Sequence, residues 1–255
     1  MRNHAIFALS FNRKIDATGN WIRFPYYHHV FDDEIHGFEC QLRELQNFGD
    51  FVSIDDATSM IQSDDAIPGR YFCLSFDDGL KSCISGALPV LNQLQIPAVF
   101  YLATGYVGRS LKPEDSEALK VFNFLGKNTS LDFLSWNDCR LLVNSGMTIG
   151  SHTSSHIRLA DHDDVVISRE LKESKDEIET RLGIKCDHFC APYGIPNVDF
   201  DPGKDLRLVL DAGYSTFATG QRGAMTNNDK CALIKRDHFL AQAGKYQLQY
   251  FMSRK

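Results

Sequence analysis

Leu74-Ser-Phe-Asp-Asp-Gly79 is the stretch on which the reading of this 255-residue chain turns. The apolar run Tyr71-Phe-Cys-Leu-Ser-Phe76 leads straight into two adjacent carboxylates and a glycine. A short apolar run bounded by turn residues reads as a buried strand, and the ends of strands are where active sites lie in α/β folds. Neighbouring residues at a strand end point in different directions. Asp77 and Asp78 can therefore play separate roles, one binding a metal while the other handles a proton. Gly79 permits the sharp turn that follows. An Asp-Asp-Gly turn capping a helix accounts for the same residues, and taken alone it is the simpler account.

Working outward, further apolar runs at Ala98-Val-Phe-Tyr-Leu102, Met147-Thr-Ile149 and Tyr214-Ser-Thr-Phe-Ala218 read as strands. Amphipathic spacing predicts helices over Phe38 to Phe48, with Phe38, Leu42, Leu45 and Phe48 on one face, and over Val165 to Leu182, with Ile167, Leu171, Ile178 and Leu182 on one face. Strands and helices that alternate define an α/β fold. The stretch from Gly105 to Ser130 reads as a long excursion, either functional or a plain surface insertion. No repeat, low-complexity tract or Pro/Gly/Ser-rich linker divides the chain, so one catalytic domain over residues 1–255 is expected.

Two further segments carry candidate chemistry. Gly150-Ser-His-Thr-Ser-Ser-His156 follows the strand Met147–Ile149, and its histidines are spaced i, i+4. On a helical turn that spacing puts both imidazoles within reach of one ion; solvated or capping histidines are the alternative. Beside a carboxylate at another strand end, the metal reading gains. Two imidazoles and a carboxylate suit zinc and leave a position open for water and substrate. Phe189-Cys-Ala-Pro-Tyr-Gly194 offers backbone geometry: Pro192 and Gly194 set a bend able to aim the Tyr193 amide at a developing oxyanion, unless it is an ordinary turn.

Composition bounds the partners. With 43% hydrophobic and 24% charged residues, the chain lies within ordinary globular limits. A net charge of -6 without a long basic run gives no reason to expect nucleic acid. The seven cysteines, Cys40, Cys73, Cys83, Cys139, Cys186, Cys190 and Cys231, are odd in number and form no CxxC pair, which predicts reduced and mostly buried thiols. The apolar run Ala5 to Phe11 is too short for a signal core and is followed by Asn12-Arg-Lys14, and no later stretch suggests a membrane span. A cytoplasmic protein without membrane insertion is the expectation.

The three segments, in this order, resemble the motifs of the polysaccharide deacetylases of carbohydrate esterase family 4, which share the nodulation-type deacetylase domain. Ser75-Phe-Asp-Asp-Gly79 resembles the family's first motif, Ser151-His-Thr-Ser-Ser-His156 its second and Ala191-Pro-Tyr-Gly194 its third. Tyr27-His-His-Val30, Leu134-Ser-Trp-Asn-Asp138, Ser145-Gly-Met-Thr-Ile-Gly150 and Asp211-Ala-Gly-Tyr214 also look like family blocks, so the resemblance extends over nearly the whole chain. It implies a distorted (β/α) barrel of about seven strands. It also makes Asp77 the general base, Asp78, His152 and His156 the ligands of a divalent metal, and Pro192 and Tyr193 part of the substrate site.

The chain departs from the pattern where the third motif usually opens with an arginine that orients the base: Cys190 stands there instead. Arg236, in Leu233-Ile-Lys-Arg-Asp-His238, is the candidate to return a cation to Asp77, with a surface arginine as the alternative. His238 resembles the family's late histidine that protonates the leaving amine. His28 and His29, read as neighbours on a strand, face opposite ways, so at most one looks into the barrel mouth and each reads as structural. Cys190 reads as a buried thiol rather than a nucleophile. The expected reaction is metal-dependent removal of an N-acyl group, usually acetyl, from an amino sugar that is a precursor of a surface glycan, for instance in O-antigen biosynthesis. A deformylase or other amide hydrolase on the same site, and a silent sugar-binding module, are the rivals.

Overall fold

The computed structural model describes residues 6–7, 9–10, 12–15, 17–122, 130–227, 229 and 232–253. Its strands in chain order are β1 Trp21–Arg23, β2 Pro25–Tyr27, β3 Asp50–Phe51, β4 Arg70–Phe72, β5 Leu74–Phe76, β6 Ala98–Leu102, β7 Ser110–Leu111, β8 Leu131–Asp132, β9 Thr148–Ser151, β10 His188–Cys190, β11 Thr216–Ala218, β12 Leu233–Ile234 and β13 Asp237–His238. Eight of them form one parallel sheet in the order β12-β11-β10-β9-β6-β5-β2-β13. Its two edge strands are separated in sequence only by Lys235 and Arg236. Three Cα steps span at most about 11 Å, so the edges must meet and the sheet curls into a barrel. Counted as one bent stave, residues 233–238 make it seven-stranded, in keeping with the expected fold.

Strands β1 and β4 prolong β2 and β5 backwards across Phe24 and Cys73, and with β3 they form a second parallel sheet in the order β1-β4-β3. The Cys73 amide donates to the Arg23 carbonyl, so pairing runs through the break. Strand residues divide by alternation into two apolar clusters. Phe24, Cys73, Val99, Tyr101, Cys190, Ala218 and Ile234 pack in one. Leu74, Phe76, Phe100, Leu102, Ile149, Phe189 and Phe217 pack in the other, together with the helices. Both faces of each parallel strand are covered, which is why the strands read as near-continuous apolar runs.

Helix α1, Ile35–Gln46, buries Phe38, Leu42 and Leu45; each such side chain contributes about 1.5–3 kcal/mol. It starts three residues before the expected Phe38 and ends before Phe48, which is half-buried. Helix α2, Ile54–Gln62, sends Ile54, Ala57 and Ile61 into the cluster of Phe24 and Cys73, while Asp55 meets His188 at the start of β10. It thus closes the end of the barrel opposite the strand C-termini. Helix α3, Asp164–Leu182, is capped by Asp163 accepting from the Val166 amide and ends at Gly183 in the left-handed conformation.

The excursion after Gly105 has structure of its own. β7 pairs antiparallel with β8, a short helix spans Ser116–Lys120, and Leu80, Tyr106, Leu111, Ala118, Leu131 and Phe133 form a satellite core against which Val121 and Phe122 pack. Residues 123–129 of that excursion lie outside the described residues, as do Cys231 and Ala5, Ala8 and Phe11 of the N-terminal run. Of the six described cysteines all are free thiols and five are buried. No helix among the described residues is long and apolar enough to cross a membrane.

Candidate active site

Strand β5 delivers Asp77 and Asp78 to the C-terminal rim. Asp78 takes φ 69° and Gly79 φ 74°, which turns the chain back towards Leu102; a Cβ on Gly79 would stand 3.0 Å from that leucine's Cδ2. Oδ1 of Asp78 lies 3.2 Å from His156 Nε2 and 3.4 Å from His152 Nε2. All three residues are buried. The two histidines do not share a helical turn, contrary to the simplest reading of their spacing. After β9 the chain is irregular through His156, and Thr153 and His156 adopt φ 64° and 56°. Such non-glycine residues cost on the order of 1–3 kcal/mol each and persist only where surrounding contacts impose them. Those contacts are present. The Thr153 and Ser154 carbonyls accept from the Thr104 and Gly105 amides, and the buried Glu170 carboxylate on α3 accepts from both the amide and the hydroxyl of Ser155.

These residues fit a divalent cation. The His152 Nδ1–H donates to the Cys190 carbonyl at 2.8 Å, since a carbonyl only accepts. Nε2 meets the Asp78 carboxylate at 3.4 Å. Burial of His152 is outweighed by Cys190 and Asp78, which raise its pKa well above the ordinary imidazole range, so a proton holds this contact where a divalent cation would take the proton's place between the Nε2 lone pair and the carboxylate. Two imidazoles and one carboxylate on one side of an ion suit a divalent transition metal. Asp77, His152 and Cys190 also lie close enough to form a ligand set. That set is the poorer fit: burial raises the Cys190 thiol above its ordinary range, and Asp77 is already engaged.

Arg236 engages it. Nη1 and Nη2 of the guanidinium donate to Oδ1 and Oδ2 of Asp77, each at 2.7 Å, while Nη1 also meets Ser75 Oγ at 3.1 Å and Nε the Thr219 carbonyl at 2.9 Å. Arg236 is 2% exposed, which disposes of the surface reading. Burial pushes the Asp77 carboxyl up, but the bidentate guanidinium outweighs it and holds Asp77 below the ordinary carboxylate range. Cys190 Sγ sits 2.9 Å from Nη2. The cysteine thus makes room on β10 for a guanidinium that arrives from the break between β12 and β13.

His238 Nε2 is 3.1 Å from His28 Nδ1. Burial first, then His28 and Arg222, hold His238 well below the ordinary imidazole range, so it is neutral at pH 7. Both His28 and His29 line the same cavity of about 710 Å³ as Asp77, Asp78, His152, His156 and Arg236. Both face inward, contrary to the alternation expected of strand neighbours, because β2 ends at Tyr27 and beyond a strand end that alternation lapses. Tyr193, at φ 62°, borders the cavity with its ring 5.2 Å from that of His156 and its hydroxyl donating to the Val121 carbonyl. Gly194 behind it is held so close to the 219–220 turn that a Cβ would fall 2.6 Å from the Gly220 nitrogen. Pro192 is buried and is not among the residues lining the cavity. Sequence reasoning missed Phe122, whose ring lies 4.8 Å from that of His156, and Glu170 and Glu34, which carry no local signal.

Residues 65–216, well over half of the chain, match the polysaccharide deacetylase family, and the chain belongs to it. Among solved structures it is similar to IcaB from Ammonifex degensii, at 21% identity over 93% of this chain and 99% of that one with a TM-score of 0.75. It is similar also to the deacetylase PplD of Streptococcus pyogenes in complex with acetate, at 19% identity over 92% and 98% with a TM-score of 0.69. A de-N-acetylase from Aggregatibacter actinomycetemcomitans matches at 18% identity over 91% and 100% with a TM-score of 0.66. At these identities the likeness speaks for the fold. No curated protein matches.

Proposed function

We propose that this member of the polysaccharide deacetylase family hydrolyses the N-acyl group, acetyl in the first instance, of an amino sugar, with zinc held by Asp78, His152 and His156. The observation that carries the reading is the convergence of those three side chains beside an arginine-clamped carboxylate on the floor of one cavity. A bound divalent ion would supply Lewis acidity, bringing the pKa of water towards ~7 and polarising the acyl carbonyl.

The chain's own residues supply the rest. Asp77, ionised and pinned at both oxygens, accepts the proton of the attacking water as the new C–O bond forms. The Tyr193 amide, presented by a left-handed turn, donates to the oxyanion. When the C–N bond breaks, the amine takes a proton. His238 is neutral and bonded to His28, so it brings no proton of its own; the proton that Asp77 took from water is the one returned to the amine. The products are a carboxylic acid and a free amine. PplD was solved with acetate and the Aggregatibacter protein is called a de-N-acetylase, which favours acetyl over formyl.

A cavity of about 710 Å³ falls in the range of small-molecule sites. We read the substrate as a nucleotide-linked or lipid-linked sugar, such as a surface-glycan or O-antigen precursor handled in the cytoplasm, rather than finished polymer. The test is amine release from a panel of N-acetyl and N-formyl amino sugars, free, carrier-linked and polymeric, by protein of known zinc content. Release from N-acetylated precursors is expected; activity on polymer alone would overturn the precursor assignment, and none on any member would overturn the deacylase reading.

A further inference from the structure

One part of the cavity plays no role in the hydrolysis. The Glu34 carboxylate, 2% exposed, forms a buried corner of the wall beside His29. Its Oε2 accepts from His29 Nδ1 and from the Phe31 amide, both at 2.9 Å. An ionised carboxylate only accepts, so Nδ1 of His29 carries a proton and Nε2 is the ring nitrogen left to meet a ligand. The imidazole side chain is 25% exposed and lines the cavity. Its ring also packs on Phe31 with centroids 4.4 Å apart. Held from both sides, it presents one polar ring atom, Nε2, beside the aromatic face of Phe31.

That combination matches the chemistry of a pyranose, whose C–H face packs on an aromatic ring while a hydroxyl hydrogen-bonds at its edge. We propose that His29, positioned by Glu34, is a specificity-determining residue that hydrogen-bonds a ring hydroxyl of the sugar bearing the N-acyl group through Nε2. The proposal rests on the amino-sugar reading of the site for its choice of ligand. A hydrogen bond of this kind is worth about 0.5–1.5 kcal/mol, or roughly two- to twelvefold in affinity, and a site built around a hydroxyl discriminates against its absence.

The experiment measures binding of N-acetylglucosamine, N-acetylgalactosamine and the monodeoxy analogues of each by titration calorimetry or ligand-observed NMR. It uses the full chain carrying Asp77→Asn so that no sugar is consumed, with and without His29→Phe and His29→Gln. One monodeoxy analogue is expected to bind more weakly than its parent by roughly three- to tenfold. In His29→Phe, which keeps the ring stack but removes the polar ring atom, that discrimination should collapse to within twofold. His29→Gln, whose amide still hydrogen-bonds, should restore part of it. Unchanged discrimination in His29→Phe, equal binding of every analogue, or no binding of any of these sugars would overturn the proposal. Amine release is scored separately, so failure of the deacylase reading is distinguishable from failure of this one.

Discussion

Asp78, His152 and His156 share a cavity floor with Asp77, yet the two groups are held by different means. The three candidate ligands are positioned chiefly by backbone: left-handed residues at Asp78, Thr153 and His156, amide hydrogen bonds from Thr104 and Gly105, and the Cys190 carbonyl behind His152, with the Glu170 carboxylate holding Ser155 between the histidines. Asp77 is positioned by a side chain from 159 residues further along the chain. The difference teaches that a site for an ion can be written into local turns, whereas the state of a proton-handling group depends on what the rest of the fold brings beside it.

Substitutions separate the two halves. His152→Ala removes a ligand whose lone pair no neighbour replaces, so metal and turnover should be lost together, beyond the ~10²-fold that changes behind the ligands cost; metal analysis beside an amine-release assay reads both, and stoichiometric metal in the variant would take His152 out of the ligand set. Asp77→Asn should keep the metal and lose roughly 10²- to 10⁴-fold in kcat. Undiminished turnover would remove the base assignment and with it the contrast between the halves.

Arg236→Met strikes the clamp itself. It leaves Asp77 buried without its partner, a change that costs about 3–5 kcal/mol, so the denaturation midpoint should fall. Asp77→Asn/Arg236→Met should recover much of that loss, because neither charge is then stranded. The guanidinium lowers the Asp77 pKa, and with the carboxylate as the proposed base, activity is expected to fall as pH drops through that value. Without Arg236 the pKa rises and the acid limb of the kcat/KM profile moves to higher pH. An unmoved limb would mean that the limb reports another group. Cys190→Ser should do least. Its thiol is raised by burial and stays neutral, so the loss should stay under ~10-fold, the scale of one hydrogen bond.

The two halves also differ in how legible they are in the sequence. The strands that lead into Asp77 and His152, the two aspartates and the paired histidines are local patterns, and the barrel follows from short apolar runs alternating with amphipathic stretches. The loop from His152 to His156 departs from the helical reading because i, i+4 spacing is silent about φ, and its supports, Glu170 and the 104–105 turn, are distant in sequence. Arg236 is legible only indirectly, because the absence of an arginine at Cys190 directs attention to a cation from elsewhere. It lies outside the residues 65–216 that match the family. The inward turn of both His28 and His29 depends on where β2 stops, a boundary that periodicity cannot place to within a residue.

The bent stave at residues 233–238 gives the fold an order of completion. A nascent chain that has emerged as far as Leu233 already contains Asp77, Asp78, His152 and His156, but neither the guanidinium that keeps Asp77 ionised nor His238. The same six residues join the two free edges of the sheet. Sealing the barrel and arming the carboxylate therefore rest on the same six residues, and a product that stops at Leu233 keeps the three candidate ligands but lacks the cation that holds Asp77 ionised.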